Sequence, residues 1–194
     1  MEKELNSFSR GLRDGIPICL GYLSVAFAFG IFTVGHGLTI WEAVMISMTN
    51  VTSAGQLAAV PIIAGGGSLF ELALTQFVIN MRYSLMSVSL SQRLSKSVRL
   101  LDRFLISFVN TDEVFAVAIS KNAPLGRTYL YGLTLTPYLG WSAGTLLGSA
   151  AGNILPATVV SALGIAIYGM FIAIIVPPAK KSLPTLLCVL SAIA

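Results

Sequence analysis

Long apolar runs alternate with short charged connectors along this chain. Ile16–Gly35, Met45–Gly67, Ser68–Leu90, Tyr129–Leu155 and Val159–Pro178 are predominantly apolar. Runs of about 18 or more such residues read as membrane-spanning helices. The spacing therefore predicts an all-α, polytopic transmembrane bundle. Two stretches depart from the pattern. Met45–Gly67 is interrupted by Thr49-Asn50-Val51-Thr52-Ser53-Ala54-Gly55-Gln56, with Pro61 following. Phe104–Ser120 is short and carries Asn110-Thr111-Asp112-Glu113 at its centre. The first helix is expected over Ile16–Gly35, with Pro17 in its first turn, where a missing amide hydrogen costs nothing. Trp41 fits an interfacial anchor.

Positive charge tests the topology. Lys3, Arg10 and Arg13 precede the first run; Arg93, Lys96, Arg99 and Arg103 form a basic loop; Lys121 and Arg127 flank another; Lys180 and Lys181 come later. Basic loops are retained on the cytoplasmic side. If all of these share that side, each stretch between them crosses an even number of times. Phe104–Ser120 must then enter and return, and one of the three runs between residues 16 and 90 must fail to cross. Non-helical backbone at membrane depth survives only where protein or a water-filled cavity covers it. Two broken or re-entrant segments are therefore expected, around Thr49–Gln56 and Asn110–Glu113. An ordinary tilted helix over Phe104–Ser120 is the alternative.

Composition agrees. The 194 residues are 55% hydrophobic and 10% charged, against about 25% charged in soluble domains. The mean hydropathy is +0.83. One transmembrane domain over 1–194 is expected, with 1–15 as a cytoplasmic tail. The net charge of +4 belongs to topology rather than to nucleic acid. The start, Met1-Glu2-Lys3-Glu4, lacks the basic region and short apolar core of a removable signal peptide. Leu186–Ala194 is too short to cross as a helix, so the last span reads as incomplete. Cys19 and Cys188 lie in apolar stretches without metal-ligand spacing and read as small packing residues. His36, between Gly35 and Gly37, reads as a solvated interfacial side chain. No metal or cofactor is expected.

Ionisable residues deep in a bilayer are costly and mark functional sites. Arg82 lies about nine residues from the end of its helix, roughly 14 Å at 1.5 Å per residue, so it needs a partner. A carboxylate suits a guanidinium through two parallel hydrogen bonds. That carboxylate is either Asp112 or Glu113, or belongs to a substrate, with the internal acid exchanged for it. Asp112 and Glu113 point about 100° apart on a helix, so one can pair with Arg82 while the other faces a cavity as a proton carrier or ammonium site. Asn80, Asn110, Thr111, Ser53 and Gln56 supply uncharged donors and acceptors for substrate, or bridges between helices.

Gly140, Gly144, Gly148 and Gly152 form a stripe for close helix packing, against a partner chain or another helix of this one. Pro137 lies on the same helix. Tyr22-Leu23 is echoed by Tyr138-Leu139, and the two polar breaks resemble each other, which hints at an internal inverted repeat.

Taken in order, Gly11-Leu-Arg-Asp-Gly-Ile-Pro17, Gly21-Tyr22, Ala28-Phe-Gly30, Ala54-Gly-Gln56, Asn80-Met-Arg82-Tyr83 and Thr111-Asp-Glu113 resemble the AzlC family of branched-chain amino acid permeases. The resemblance covers about residues 10–180. It implies a multi-pass inner-membrane exporter of branched-chain amino acids that works with a small AzlD-like membrane subunit. Where the family often places an acid after Leu-Gly in a later span, this chain has Leu163-Gly164-Ile165-Ala166.

The expected function is secondary export of aliphatic amino acids. Arg82 would hold the carboxylate, Asp112 or Glu113 would meet the ammonium or carry a proton, and small residues near Ala54-Gly55 would leave room for a branched side chain. A passive channel or a scaffold subunit is the alternative, and a homo-oligomer is a further option. An intramembrane enzyme is not expected: no HExxH, GxSxG or paired-histidine arrangement occurs. Nor does any nucleotide-phosphate loop, so direct ATP coupling is not expected.

Overall fold

Helices α1 (Phe8–Gly35) and α7 (Arg127–Gly152) form the spine of the molecule in a computed structural model. The structure describes residues 6–152 and isolated positions beyond them. Between the two lie α2 (Ile40–Thr49), α3 (Ala54–Ala64), α4 (Leu69–Ser91), α5 (Leu100–Ser107) and α6 (Asp112–Ile119). The described residues are thus all-helical, apart from one isolated bridge between Leu94 and Leu125. Val159–Pro178, the Leu163–Ala166 departure and Cys188 fall outside the continuous described stretch.

α1 begins eight residues before the expected Ile16. The Ser7 hydroxyl accepts from Arg10 N at 3.3 Å and caps the helix, so the charged Arg10–Asp14 segment is helical and Pro17 is interior. The apolar run alone hid this start, because charge ended the run before the cap was reached. At 1.5 Å per residue, the 28 residues of α1 extend about 42 Å. That exceeds the roughly 30 Å hydrocarbon core. α1 is long and apolar enough to cross it, with a mean hydropathy of 2.0 over its most apolar stretch.

α1 and α7 pack in parallel, in register along their length. Gly11 lies against Gly132, Cys19 against Gly140, Leu23 against Gly144 and Phe27 against Gly148. A Cβ on Gly148 would fall on the Phe27 carbonyl oxygen, and one on Gly11 would fall on that of Tyr129. Small residues permit this backbone approach. The glycine stripe is therefore covered by α1 of the same chain and is not a free surface for a partner. Cys19 packs in this seam. The Tyr22/Tyr138 echo relates two helices that run in the same direction.

The two polar interruptions each turn a short helical hairpin. α2 starts on a capping box between Thr39 and Glu42 and descends along α7, where Ser47 Oγ lies 2.7 Å from Thr145 Oγ1. The backbone then extends at Asn50, and Ser53 takes a positive φ of 52°. α3 returns to the starting end, packing Val60 with Phe29 and Leu38. With 10 and 11 residues, α2 and α3 each reach about 15 Å, half the hydrocarbon thickness. α5 and α6, of 8 residues each, form the opposing hairpin, broken at Asn110-Thr111. Thr111 caps α6 through Val114 N.

Three basic segments meet at one end. Asn6 Nδ2 donates to Pro124 O and Asn6 Oδ1 accepts from Gly126 N, both at 2.9 Å. Ser95 N donates to Leu125 O at 2.9 Å, and Leu125 N to Arg93 O at 2.8 Å. Arg93 Nη2 donates to Lys121 O at 2.5 Å. Asp14 ties the ends of α1, α6 and α7 together: it pairs with Lys121 at 2.6 Å and Arg10 at 3.3 Å, and accepts from Tyr129 at 3.0 Å. Residues 93–97 and 121–127 thus share the end of the bundle that holds the start of α1. The α5–α6 segment enters and returns on that side, as the charge pattern predicts.

Candidate functional site

The tips of the two hairpins face a common cavity of about 680 Å³. Ser53 and Ala54 line it from the start of α3, and Thr111, Asp112 and Glu113 from the start of α6. α1 contributes Pro17, Ile18, Gly21, Tyr22, Ser24 and Val25; α4 contributes Arg82 and Tyr83, and α7 contributes Trp141. Ile18, Val25, Ala54 and Trp141 give it apolar wall, beside a small set of convergent charges. Both hairpins present helix N-termini to this space, where unpaired amides and the helix dipole favour negative charge. Asp112 and Glu113 already occupy that position on α6. On α3 the Ser53 hydroxyl makes no cap hydrogen bond, while Ser53 N donates to Gln56 Oε1 at 3.3 Å. A non-glycine residue with positive φ is a form of backbone strain that concentrates at functional sites, and Ser53 lines the cavity.

Arg82 crosses the cavity to the opposing hairpin. Its Nη1 donates to Asp112 Oδ2 at 2.5 Å and its Nη2 to the Tyr83 hydroxyl at 3.0 Å. The guanidinium carbon also sits 4.8 Å from the Tyr83 ring centre. Tyr83 donates onward to Thr52 O at 3.5 Å. One arginine therefore links both helix breaks. The ion-pair side chains are 45% and 48% exposed, so the pair faces open space rather than packed core. Glu113 is held separately, by the Tyr22 hydroxyl, which also lies 2.6 Å from Thr111 Oγ1. Tyr22 is fixed edge-on against Trp141, with ring centres 5.1 Å apart.

Of the residues singled out in the sequence, the structure brings Arg82, Ser53, Thr111, Asp112 and Glu113 to this cavity. Gln56 is fully buried and donates to Ser47 Oγ at 3.1 Å, so it joins α3 to α2 rather than lining the space. Asn80 donates to Gln76 Oε1, which also accepts from Asn50 Nδ2, each at 3.1 Å. That set holds α4 to the first break. Asn110 lines a different cavity. His36 is exposed at the end of α1, remote from the charges, and bonds Phe32 O at 2.9 Å. Tyr22, Tyr83 and Trp141 line the cavity without having been selected as site residues. A tyrosine hydroxyl inside an apolar run was the available signal, because a buried phenol needs a polar partner.

An all-helical bundle whose opposed half-helices meet at a charged, apolar-walled cavity has the build of a membrane protein with a polar centre. The protein family described as AzlC protein matches residues 17–155. The chain belongs to this family. It is similar to "Inner membrane protein YgaZ" of Escherichia coli K12, at 30% identity over 195 residues, covering 96% of this chain and 78% of the relative. An "Uncharacterized membrane protein" of Archaeoglobus fulgidus is 33% identical over 175 residues, covering 89% and 76%. Another of Helicobacter pylori strain 26695 is 24% identical over 156 residues, covering 79% and 68%. No solved structure matches the chain. The family and these relatives make it a membrane protein and support a transporter-like role.

Proposed function

We propose that this protein is a secondary transporter that exports branched-chain or other aliphatic amino acids across the inner membrane, together with a small AzlD-like membrane subunit. The Arg82–Asp112 bridge within the central cavity carries this reading. The guanidinium offers a planar fork matched to a carboxylate. A substrate carboxylate exchanging for Asp112 would free that acid for the substrate ammonium or for a proton. Ile18, Val25 and Trp141 offer an apolar wall to an aliphatic side chain. The cavity volume of about 680 Å³ is ample for a single amino acid, within the roughly 300–1,000 Å³ of ligand pockets.

On this reading the basic end faces the cytoplasm, in line with the retention of basic loops there. The two half-membrane hairpins meet near the midplane, as in transporters with discontinuous helices. We read the protein as a carrier rather than an enzyme. A passive channel is the competing reading. Labelled valine or leucine in loaded vesicles separates them: a carrier is accelerated by unlabelled substrate on the opposite side, and a channel is not. Absence of any amino-acid flux in vesicles holding both subunits would overturn the proposal.

A further inference from the structure

The central cavity holds one arginine and two acids, and the fold gives the arginine to one acid. Arg82 bridges to Asp112. Glu113 is exposed to the same cavity and has no ion-pair partner among the described residues. The titratable groups around it are Asp112 on its own helix, Tyr22 on α1, and Arg82 and Tyr83 on α4. Ser53 and Ala54 of α3 and Trp141 of α7 complete the lining and do not titrate. What holds Glu113 is a pair of hydroxyls. Tyr22 Oη contacts Glu113 Oε2 and lies 2.6 Å from Thr111 Oγ1. A phenol carries one hydrogen, so it donates to only one of these two. With Glu113 charged, Tyr22 donates to the carboxylate and Thr111 donates to Tyr22. With Glu113 protonated, the acid donates to Tyr22 and Tyr22 donates to Thr111. Tyr22 is only 6% exposed, and its hydroxyl keeps both partners in either state.

We propose that Glu113 is the proton-coupling residue, and that a proton on its carboxylate and the ammonium of the substrate exclude one another. When the substrate carboxylate takes Arg82, Asp112 is released, and the ammonium meets both acids at the start of α6. An opposite charge close by favours the charged form of a carboxylate. The O–H bond of Glu113 then breaks, its electron pair stays on the carboxylate, and the proton leaves to water in the cavity. When the substrate departs, Arg82 returns to Asp112, and Glu113 takes a proton from water on that side. No acid is left bare in either state. Asp112 faces Arg82 and Glu113 carries a proton in the empty carrier, and both face the ammonium in the loaded one. A bare charge at membrane depth is costly, so the empty carrier returns protonated. Outward movement of an amino acid is thereby matched to inward movement of a proton. This inference rests on the amino-acid reading of the central cavity and names its coupling ion.

Leucine is added to the purified full chain, assembled with its small subunit, in weakly buffered detergent solution with a pH-sensitive dye. The unmodified protein should release up to about one proton per leucine bound, and its affinity should fall about tenfold for each pH unit below the midpoint of release. Glu113→Gln should bind labelled leucine more weakly, release no proton, and show an affinity that no longer follows pH. Tyr22→Phe keeps the acid and should move the midpoint; an unmoved midpoint overturns the role of the hydroxyl pair. Should Glu113→Gln fail to fold or bind, the unmodified protein and Tyr22→Phe decide. Leucine bound without proton release, at an affinity indifferent to pH, overturns the proton site and leaves the amino-acid site standing. Proton release that persists in Glu113→Gln overturns the choice of Glu113. No leucine bound by the unmodified protein overturns the amino-acid reading and this inference with it.

Discussion

Arg82 on α4 and Asp112 at the tip of the α5–α6 hairpin are joined, with Nη1 and Oδ2 2.5 Å apart. Neither residue has another ionic partner among the described residues. Arg82→Ala should therefore leave Asp112 uncompensated. The pair is half-exposed, so the loss should be about 1–2 kcal/mol, below the 3–5 kcal/mol of fully buried pairs. Asp112→Asn in the same background should restore most of that stability without restoring transport, whereas Glu113→Gln should not. Arg82→Lys should keep the fold and impair export, because a point charge cannot hold a carboxylate by two parallel bonds. Melting temperature in detergent and valine efflux from vesicles read the two effects separately. Normal export by Arg82→Ala would remove Arg82 from the substrate site.

Tyr22 fixes Glu113 and Thr111 from α1, so it sets where the second acid points. Tyr22→Phe retains the ring contact with Trp141 and removes only the hydroxyl. A hydrogen bond to a charged group contributes about 1.5–3 kcal/mol, and the variant should lose stability on that scale. Glu113→Gln in the Tyr22→Phe background should then cost less than it does alone, a coupling that a double-mutant cycle measures. Strictly additive losses would mean that the two side chains do not act together.

How much of this was legible in the sequence varies from residue to residue. Arg82, Asp112 and Glu113 stood out because charge inside an apolar run has few explanations. The breaks showed as clusters of Asn, Thr, Ser and Gly where a span should be continuous. The choice of Asp112 over Glu113 for Arg82 was not legible, since adjacent acids differ only in direction and the direction depends on where α4 passes. Gln56 and Asn80 look like substrate ligands in a string of letters. They are instead fastened to Ser47 and Gln76, which a sequence cannot place beside them. Tyr22 and Trp141 were hidden because aromatic residues in apolar stretches ordinarily pack.

The glycine seam makes an intramolecular prediction. Gly148→Leu places a side chain on the Phe27 carbonyl, where backbone rather than a flexible side chain must move. Overpacking costs about 1–3 kcal/mol where side chains can yield, so this variant should lie at or beyond the upper limit. Gly21→Leu, on the same helix as Phe27 but with open space around its Cβ position, should be mild. The ratio of monodisperse to aggregated protein in detergent compares them. Equal behaviour would mean that α1 and α7 do not meet along this line.

Asp102 gives a pH dependence at the basic end. The Tyr131 hydroxyl at 2.7 Å and Arg99 N at 2.8 Å both donate to its carboxylate and hold it below the ordinary range. A group whose pKa is depressed by folding adds stability above its unfolded value, about 3.9 for Asp, and loses it as pH falls through the folded one. Asp102→Asn should therefore lower the melting temperature at pH 7, with the difference from the unmodified protein shrinking as the pH falls below 4. A constant difference would assign the effect to packing.

The shared end of the three basic segments gives a direct test of topology. Ser95 bonds to the Leu125 strand-like segment, and Asn122 lies next to Lys121, which pairs with Asp14 on α1. Cysteines introduced singly at 95 and 122, in a background with Cys19 and Cys188 replaced, should react with a membrane-impermeant maleimide from one and the same side. A cysteine at Gly66, in the turn between α3 and α4, should react from the other. The two hairpins require this pattern, because each begins and ends on its own side. Were α5–α6 instead a continuous span, positions 95 and 122 would label from opposite sides. The bond between Leu125 N and Arg93 O could not then form.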